Sequence, residues 1–436
     1  MSKPRVWWTR AAVAATVLLA TWVAWKLIDI TGFDVLAALF QLAVALLSVF
    51  LVVLVVRYVL LLWLGYLHHI EGHGGVDSSI APHVTVIVPV YNEEAVIVPA
   101  LRALLELRYP WFDILVIDDG SRDGTFAKAS ALAGRYGNTT LRVVSKRNGG
   151  KASALNTGIA LAGSPFVLCM DGDSRLSPDT LRFSMRHFAN PRVAAVAGNV
   201  KVVNRNNLWT RLQALEYIEG LNMPRRAQGF VRAVNIVPGP IGVFRRDVLL
   251  RVGGYDTDTY AEDADLTLKI LTDGWQIVYE DRAIAWTEAP EALLDIIKQR
   301  YRWTRGILQA LGKRRDWLTT RQGGIAVWIS LLSLFFEAIV WPVVNVLGNV
   351  LFATAALAGV VPAGVFYWWA LLTLLDVAAA LHSVVMEEES LALVPYAVIY
   401  RFFFIATIDV AKLLATVEQM FRVPMTWGKL ERAGRL

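Results

Sequence analysis

The 436 residues carry 43 basic and 37 acidic side chains, a net charge of +6, with 56% of positions hydrophobic and 18% charged. That is too apolar for an ordinary soluble protein and long enough for about two or three domains. The basic residues gather beside the hydrophobic segments, a pattern of membrane orientation and not of nucleic-acid binding.

Residues 11–28 form a first apolar segment, long enough to span because a crossing needs about 20 residues. Lys3, Arg5 and Arg10 place its start in the cytoplasm, and no small-residue cleavage site follows, so an uncleaved anchor is expected. Residues 29–34 make an outer turn and 35–56 return. Arg57 then opens a Tyr/Trp-rich stretch through Tyr66 with the pattern of an interfacial helix end. His69 and His73 have the i,i+4 spacing of a helical metal pair, but Gly72, Gly74 and Gly75 argue for a solvated linker.

From residue 83 to about 287 the pattern is that of a soluble α/β domain. β-Branched residues 84–90 predict a strand, 93–107 a helix and 114–117 a second strand. Residues 141–144 and 166–170 continue the alternation, with a helix over 151–162 between them. The repeat of about 30 residues is that of a βαβ unit, hence parallel strands. Cys169, the single cysteine, lies inside the last of these strands, so no intrachain disulfide forms and a buried, inert thiol is expected.

That strand ends in Asp171-Gly172-Asp173, hard oxygen ligands on a tightly bending backbone that suit Mg²⁺ or Mn²⁺ together with phosphates. An isolated Asp-x-Asp is more often a polar turn. Here the other strand ends are polar as well: Tyr91-Asn92-Glu93-Glu94, Asp118-Asp119-Gly120-Ser121, and residues 146–151 ending in Lys151. Ligands of open α/β sheets bind at such ends, and four converging on one cleft indicate a nucleotide diphosphate site.

Past residue 287, residues 293–311 set apolar positions at helical spacing beside Lys298, Arg300, Arg302 and Arg305, predicting helices on the inner membrane face. Lys313, Arg314, Arg315 and Arg321 mark that side as cytoplasmic. Residues 325–361 stay apolar for roughly 55 Å of helix, nearly twice the hydrocarbon thickness. Pro342 is expected to break this run, leaving an interfacial helix and one span or a hairpin of two short spans. Residues 362–364 make a turn, 365–385 cross, Glu387-Glu388-Glu389 forms a loop, and 391–415 cross last. The basic tail (Arg422, Lys429, Arg432, Arg435) belongs in the cytoplasm, which demands an even number of crossings after the soluble domain. Four crossings satisfy the rule. Glu337, Asp376, Arg401 and Asp409 are costly in lipid and must face helix partners or a polar passage.

Val86-Ile-Val-Pro-Val-Tyr-Asn-Glu-Glu94, Ile117-Asp-Asp-Gly-Ser-Arg-Asp-Gly-Thr125, Asp171-Gly-Asp173, Glu262-Asp263 and Gln299-Arg-Tyr-Arg-Trp303 occur in that order. Together they resemble the signature of membrane-integrated processive glycosyltransferases of family 2, which include cellulose, chitin and hyaluronan synthases. Within that family the chain is most similar to bacterial poly-β-1,6-N-acetylglucosamine synthases, through two N-terminal spans, Ala261-Glu-Asp-Ala-Asp265 and residues 298–303. The resemblance covers residues 84–303 strongly. It implies an α/β GT-A domain with a mostly parallel sheet, set between N- and C-terminal transmembrane helices. The implied organisation is two spans in 1–75, a cytoplasmic catalytic domain in 80–290, amphipathic interface helices in 291–324, and a C-terminal membrane region with a basic tail in 325–436.

The resemblance also assigns roles. Tyr91, Glu93, Asp118 and Asp119 take the nucleoside, with Lys151 and Asp171 at the diphosphate and Asp173 with Asp171 holding Mg²⁺ or Mn²⁺. Asp263 is the general base beside Glu262, and Gln299, Arg302 and Trp303 hold the acceptor. The i, i+3, i+4 spacing of these last three puts them on one helix face. The bland alternatives are a turn former for Asp119, a solvated Lys151, a helix-dipole charge for Glu262 and an interfacial anchor for Trp303.

The implied reaction is inverting, processive transfer of N-acetylglucosamine from UDP-GlcNAc to a growing β-linked exopolysaccharide of the biofilm type, which crosses the bacterial inner membrane past some of Asp376, Arg401 and Asp409. The implied partners are a UDP-sugar, the growing polysaccharide, the lipid bilayer and a small membrane accessory subunit, with no nucleic acid. Another β-glycan (hyaluronan, chitin or glucan) stays open, because Thr304-Arg-Gly-Ile-Leu308 departs from the small, glycine-rich continuation of polyglucosamine synthases. Single-sugar transfer to a lipid phosphate has less need of residues 299–303. A non-catalytic nucleotide-sensing scaffold has no use for Asp263.

Overall fold

A computed structural model describes residues 33–72, 81–357 and 363–425, with a few isolated positions before residue 33. The expected first span over 11–28 with Lys3, Arg5 and Arg10, together with His73 and the tail residues Lys429, Arg432 and Arg435, lies outside the described residues.

The four strands expected from the sequence form a parallel block. Strand β1 (Val84–Val90) lies between β2 (Phe112–Asp118) and β5 (Phe166–Cys169), and β2 pairs with β4 (Thr139–Ser145), all in parallel. Every residue of β1 is buried, as a strand covered on both faces requires. Helix α2 (Ile97–Leu105) follows β1, and α3 (Lys151–Leu161) leads back to β5. The remaining strands are β3 (Gly134–Tyr136), β6 (Ser174–Leu176), β7 (Val193–Val202), β8 (Gly242–Arg245) and β9 (Gln276–Thr287). They complete a nine-stranded sheet of order β3-β4-β2-β1-β5-β8-β7-β9-β6. Strand β8 runs antiparallel to both β5 and β7, so the direction reverses beside the Asp171 turn.

Helix α1 (Phe33–Gly72) is continuous for 40 residues. The expected interfacial end at 57–66 and linker at His69 are therefore corrected, because the helix continues to Gly72 along the catalytic domain. His68 Nε2 donates to the Tyr279 carbonyl at 3.2 Å, and Gly65 faces Arg226. Arg226 belongs to a helical segment that the sequence did not single out. Helix α4 (Leu208–Leu215) passes through a π turn (Glu216–Asn222) into α5 (Met223–Phe230). Arg226 also pairs with Asp281 and Glu387, both at 2.7 Å, so α5 ties the sheet to the membrane helices.

Helices α6 (Glu262–Thr272) and α7 (Leu293–Lys313) precede the C-terminal helices. Pro342 does not break the apolar run. Helix α8 (Ile325–Phe335) passes through a π turn (Phe336–Val340) into α9 (Trp341–Leu357). The wide turn sits just ahead of the proline, whose ring would clash with the carbonyl four residues back in regular winding. Helix α10 (Ala363–Met386) returns, and residues 396–420 end the described chain through a third π turn (Tyr400–Phe404) and α11 (Ile405–Met420).

Three described segments are long and apolar enough to cross a membrane: Val44–Glu71, Ile325–Leu351 and Leu391–Met420. The last is tethered to the catalytic domain at its start and to helix α7 at its end. Arg211 donates to the Tyr396 hydroxyl at 2.7 Å and Arg305 to the Val423 carbonyl at 2.6 Å. The expected final crossing over 391–415 falls within this third segment.

Glu337, Asp376, Arg401 and Asp409, the four expected to need partners in these helices, all have them. Arg57 pairs with Glu337, Arg401 with Asp376 at 2.5 Å, and Asn345 donates to Asp409 at 2.6 Å. Tyr58 adds a hydrogen bond to Asp376 at 3.1 Å. Asp376→Ala leaves Arg401 buried without a countercharge and should destabilise the membrane bundle by about 3–5 kcal/mol. Thermal unfolding in detergent measures the loss, and an Asp376→Leu/Arg401→Leu double variant should recover most of it.

Candidate active site

Two carboxylates project from the turn after β5. A methyl group on Gly172 would lie 2.8 Å from the Pro89 carbonyl oxygen, so only glycine lets this turn press against the end of β1. Asp171 is half-buried, and Asp173 is buried at 6% exposure.

The loop after β2 shows why Asp118 and Asp119 follow a strand. Asp118 accepts from the Ser121 amide at 3.2 Å and the Ser145 hydroxyl at 2.8 Å. Asp119 accepts from Lys146 Nζ at 2.7 Å and from the amides of Gly149 and Gly150 at 3.0 and 2.7 Å. These bonds fold the 146–150 loop and fix the start of α3, so the turn-forming role is present. Tyr91 stands exposed and Glu93 half-buried at the end of β1.

Lys151, the first residue of α3, joins the two halves of the site. Its ammonium lies 2.6 Å from Asp171 and 2.9 Å from Glu262. Burial works against its charge, but Asp171, Glu262 and Asp263 outweigh that and hold it firmly protonated. Glu262 and Asp263 start α6, and with Lys151, Cys169, Gly239 and Tyr255 they line a cleft of about 240 Å³. Burial and the neighbouring Glu262 push the Asp263 carboxyl up to about 6, against the pull of Lys151 and the Ala264 amide. Cys169 at the cleft floor is buried and its thiol is pushed up to about 12, the inert state expected.

Three carboxylates against one ammonium leave the cleft short of positive charge. Asp171 and Asp173 offer two hard oxygen ligands, and among the described residues no third carboxylate, histidine or cysteine gathers with them. That donor set fits Mg²⁺ or Mn²⁺ completed by phosphate oxygens and water. It does not fit a structural zinc site.

Helix α7 is locked onto this cleft by Gly306. A methyl group there would lie 2.4 Å from both Cβ and the amide nitrogen of Ala261, directly ahead of Glu262. Gln309 adds an acceptor for the Tyr260 amide at 3.1 Å. Gln299, Trp303 and Gly306 recur at helical spacing, so the expected acceptor residues share a helix face with the glycine that meets Tyr260 and Ala261. Gln299 is buried and Arg302 and Trp303 are half-buried.

The basic residues of α7 do not form one membrane-facing stripe. Lys298 is exposed, whereas Arg300 and Arg305 are buried at 2% and 3% exposure. Arg305 binds Gln419, the Tyr301 hydroxyl and the Val423 carbonyl. Arg300 pairs with Glu216 and lies 4.1 Å from the centre of the Trp303 indole. Sequence reasoning named Arg300 only as one basic residue of an interface helix and missed Glu216, whose one visible signal is charge inside an otherwise buried stretch.

Beyond this ion pair opens a second cavity, about 730 Å³, walled by Arg57, Glu219, Glu337, Trp341, Tyr400 and Asp409 among others. All three π turns contribute to its wall. Of the residues expected to line a passage, Asp409 lines this cavity, while Asp376 is wholly buried against Arg401.

The family described as "Glycosyltransferase like family 2" matches residues 81–306. The chain belongs to this family. Its glycosyltransferase domain is 32% identical over 258 residues to poly-beta-1,6-N-acetyl-D-glucosamine synthases of Staphylococcus epidermidis and Staphylococcus aureus. The match covers 59% of this chain and 61% of the length of those relatives. Among solved structures, a mannosyltransferase from Pyrobaculum calidifontis in complex with GDP-Man and Mn²⁺ superposes with a TM-score of 0.61 at 24% identity. That superposition covers 86% of this chain and 99% of the mannosyltransferase, and establishes the GT-A fold of this family 2 glycosyltransferase.

Proposed function

We propose that this glycosyltransferase polymerises N-acetylglucosamine from UDP-GlcNAc into a β-linked polysaccharide and feeds it into the membrane cavity. The observation that carries this reading is the contact of Gly306 with Tyr260 and Ala261, which brings the helix of Gln299 and Trp303 up to the residues directly ahead of Glu262 and Asp263. It supports a product-holding helix beside a base, and the 730 Å³ cavity that Glu216 helps to wall offers a way onward. The relatives' name supplies the sugar and linkage.

In the reaction the Asp263 carboxylate takes the proton of the acceptor hydroxyl as its oxygen attacks the anomeric carbon, and the bond to UDP breaks with inversion. Lys151 meets the diphosphate with a fixed positive charge, and Tyr91, Glu93, Asp118 and Asp119 frame the nucleoside. A Mg²⁺ or Mn²⁺ ion held by Asp171 and Asp173 would neutralise the charge that grows on the leaving diphosphate. The Trp303 indole stacks on the acceptor sugar while Gln299 and Arg302 hold its surroundings.

Residues 80–290 serve as the cytoplasmic catalytic domain and 291–324 as the interface. After them only α8–α9 and α10 cross the inner membrane, with residues 391–420 lying against the catalytic domain and α7. Two crossings are an even number, the parity the basic tail demands. A small membrane subunit fits beside the exposed apolar faces of these helices.

Purified protein given UDP-GlcNAc and Mg²⁺ should release UDP and make products of many sugars. EDTA should abolish release, and Mg²⁺ or Mn²⁺ should restore it. Products of a single added sugar would overturn polymerisation, and faster release from another UDP-sugar would overturn the donor assignment.

A further inference from the structure

A single guanidinium organises the acceptor face. Arg300 gives Nε to Glu216 at 2.8 Å and a second nitrogen to the other oxygen of the same carboxylate. Its remaining nitrogen donates to the Gln299 side-chain oxygen at 2.5 Å. Its flat face lies 4.1 Å from the Trp303 ring centre, and Tyr217, the residue after Glu216, completes the stack at 6.0 Å. Gln299 and Trp303, two of the three acceptor-holding side chains, are thus both held by Arg300. Arg300 is held by a carboxylate 84 residues earlier in the chain.

Glu216 occupies a particular place. It begins the π turn between α4 and α5 and forms part of the wall of the 730 Å³ cavity. The ion pair is buried, with side chains 3% and 11% exposed, so neither charge is paired with solvent instead. A bidentate guanidinium–carboxylate fork is rigid in a way that a lysine or a single hydrogen bond is not.

We infer that Glu216 is a positioning residue for the acceptor: through Arg300 it sets the angle of Trp303 and the side chain of Gln299, linking the sugar that has just reacted to the cavity it must enter. This rests on the proposed acceptor role of residues 299–303. A carboxylate and a guanidinium in the reverse order cannot substitute, because a glutamate at 300 neither stacks on Trp303 nor donates to Gln299.

The test compares wild type with Glu216→Gln, Glu216→Asp and the reversed pair Glu216→Arg/Arg300→Glu. Readouts are KM for a chitooligosaccharide acceptor, product length, UDP affinity by calorimetry and thermal midpoint. Glu216→Gln should raise acceptor KM and shorten products, with up to about 100-fold loss of transfer as the ring shifts by about 1 Å. UDP affinity should stay at the wild-type value. Glu216→Asp, which keeps the charge, should recover part of the loss. The reversed pair should regain thermal stability without regaining product length. Unchanged acceptor KM and product length in Glu216→Gln, or full rescue by the reversed pair, would overturn the inference. If wild type itself adds one sugar, the polymerase reading fails, and acceptor KM still decides the role of Glu216.

Discussion

Asp263→Asn will lower glycosyl transfer by about 10²–10⁴-fold, the range for losing a positioned general base. The asparagine fills the same space at the start of α6 and can still accept from the Ala264 amide, so the cleft keeps its shape. It cannot take a proton. UDP affinity, measured by calorimetry, should be preserved, because the proposed donor contacts come from the β1, β2 and β5 ends. In the wild type the Asp263 carboxyl is pushed up to about 6 by burial and Glu262. The active form is the deprotonated one, so kcat/KM should fall as pH drops through about 6 and level off above it. Glu262→Gln removes the second-largest cause of the shift and should move that limb to lower pH. A wild-type rate independent of pH between 5 and 8, or a fully active Asp263→Asn enzyme, would remove Asp263 from the chemistry.

Gly306→Ala is expected to be the most damaging single-methyl change outside the carboxylates. The added group would meet the backbone nitrogen of Ala261 and the carbonyl carbon of Tyr260, at 2.4 and 2.8 Å, which no rotamer change can relieve. Helix α7 must move away or the start of α6 must yield. The overpacking costs about 1–3 kcal/mol of stability. The functional loss should be larger, because about 1 Å between the Trp303 face and Asp263 can cost roughly 100-fold in rate. Calorimetric unfolding and transfer kinetics on one preparation separate the two, and equal losses of stability and rate would refute the geometric argument. Alanine at Gly312, which has open space around it, is the control.

The parallel block was legible because its strands are short apolar runs, rich in β-branched residues in β1 and β2, and β1 and β5 are buried throughout. Asp171, Asp173 and Asp263 stood out as acids beside apolar segments, and Lys151 joins Asp171 to Glu262 next to Asp263. What stayed hidden depends on partners supplied by distant elements. A helix's own periodicity identified Arg300 as part of a polar stripe, yet its countercharge comes from Glu216. Arg57 looked like a helix end because a charge there requires water or a partner, and Glu337 is the partner. Pro342 looked like a break because a π turn leaves no local mark in composition. Gly306 sat inside Thr304–Leu308, a run that stood out only as a departure from a family pattern, and its contact with Tyr260 and Ala261 comes from a distant part of the chain.

The wide turns in the cavity wall have an arithmetic consequence. Each inserts roughly one residue into otherwise regular winding, so its helix is out of phase by about 100° on either side of it. Glu337 meets Arg57 from within one such turn, while Trp341 and Asn345, just after it, meet Asp409. Deleting Ala338 would restore ordinary winding and swing the second pair away from the first, without changing a single polar side chain. The wall is therefore set by residue count as much as by residue type, and one-codon losses there would be more harmful than many substitutions.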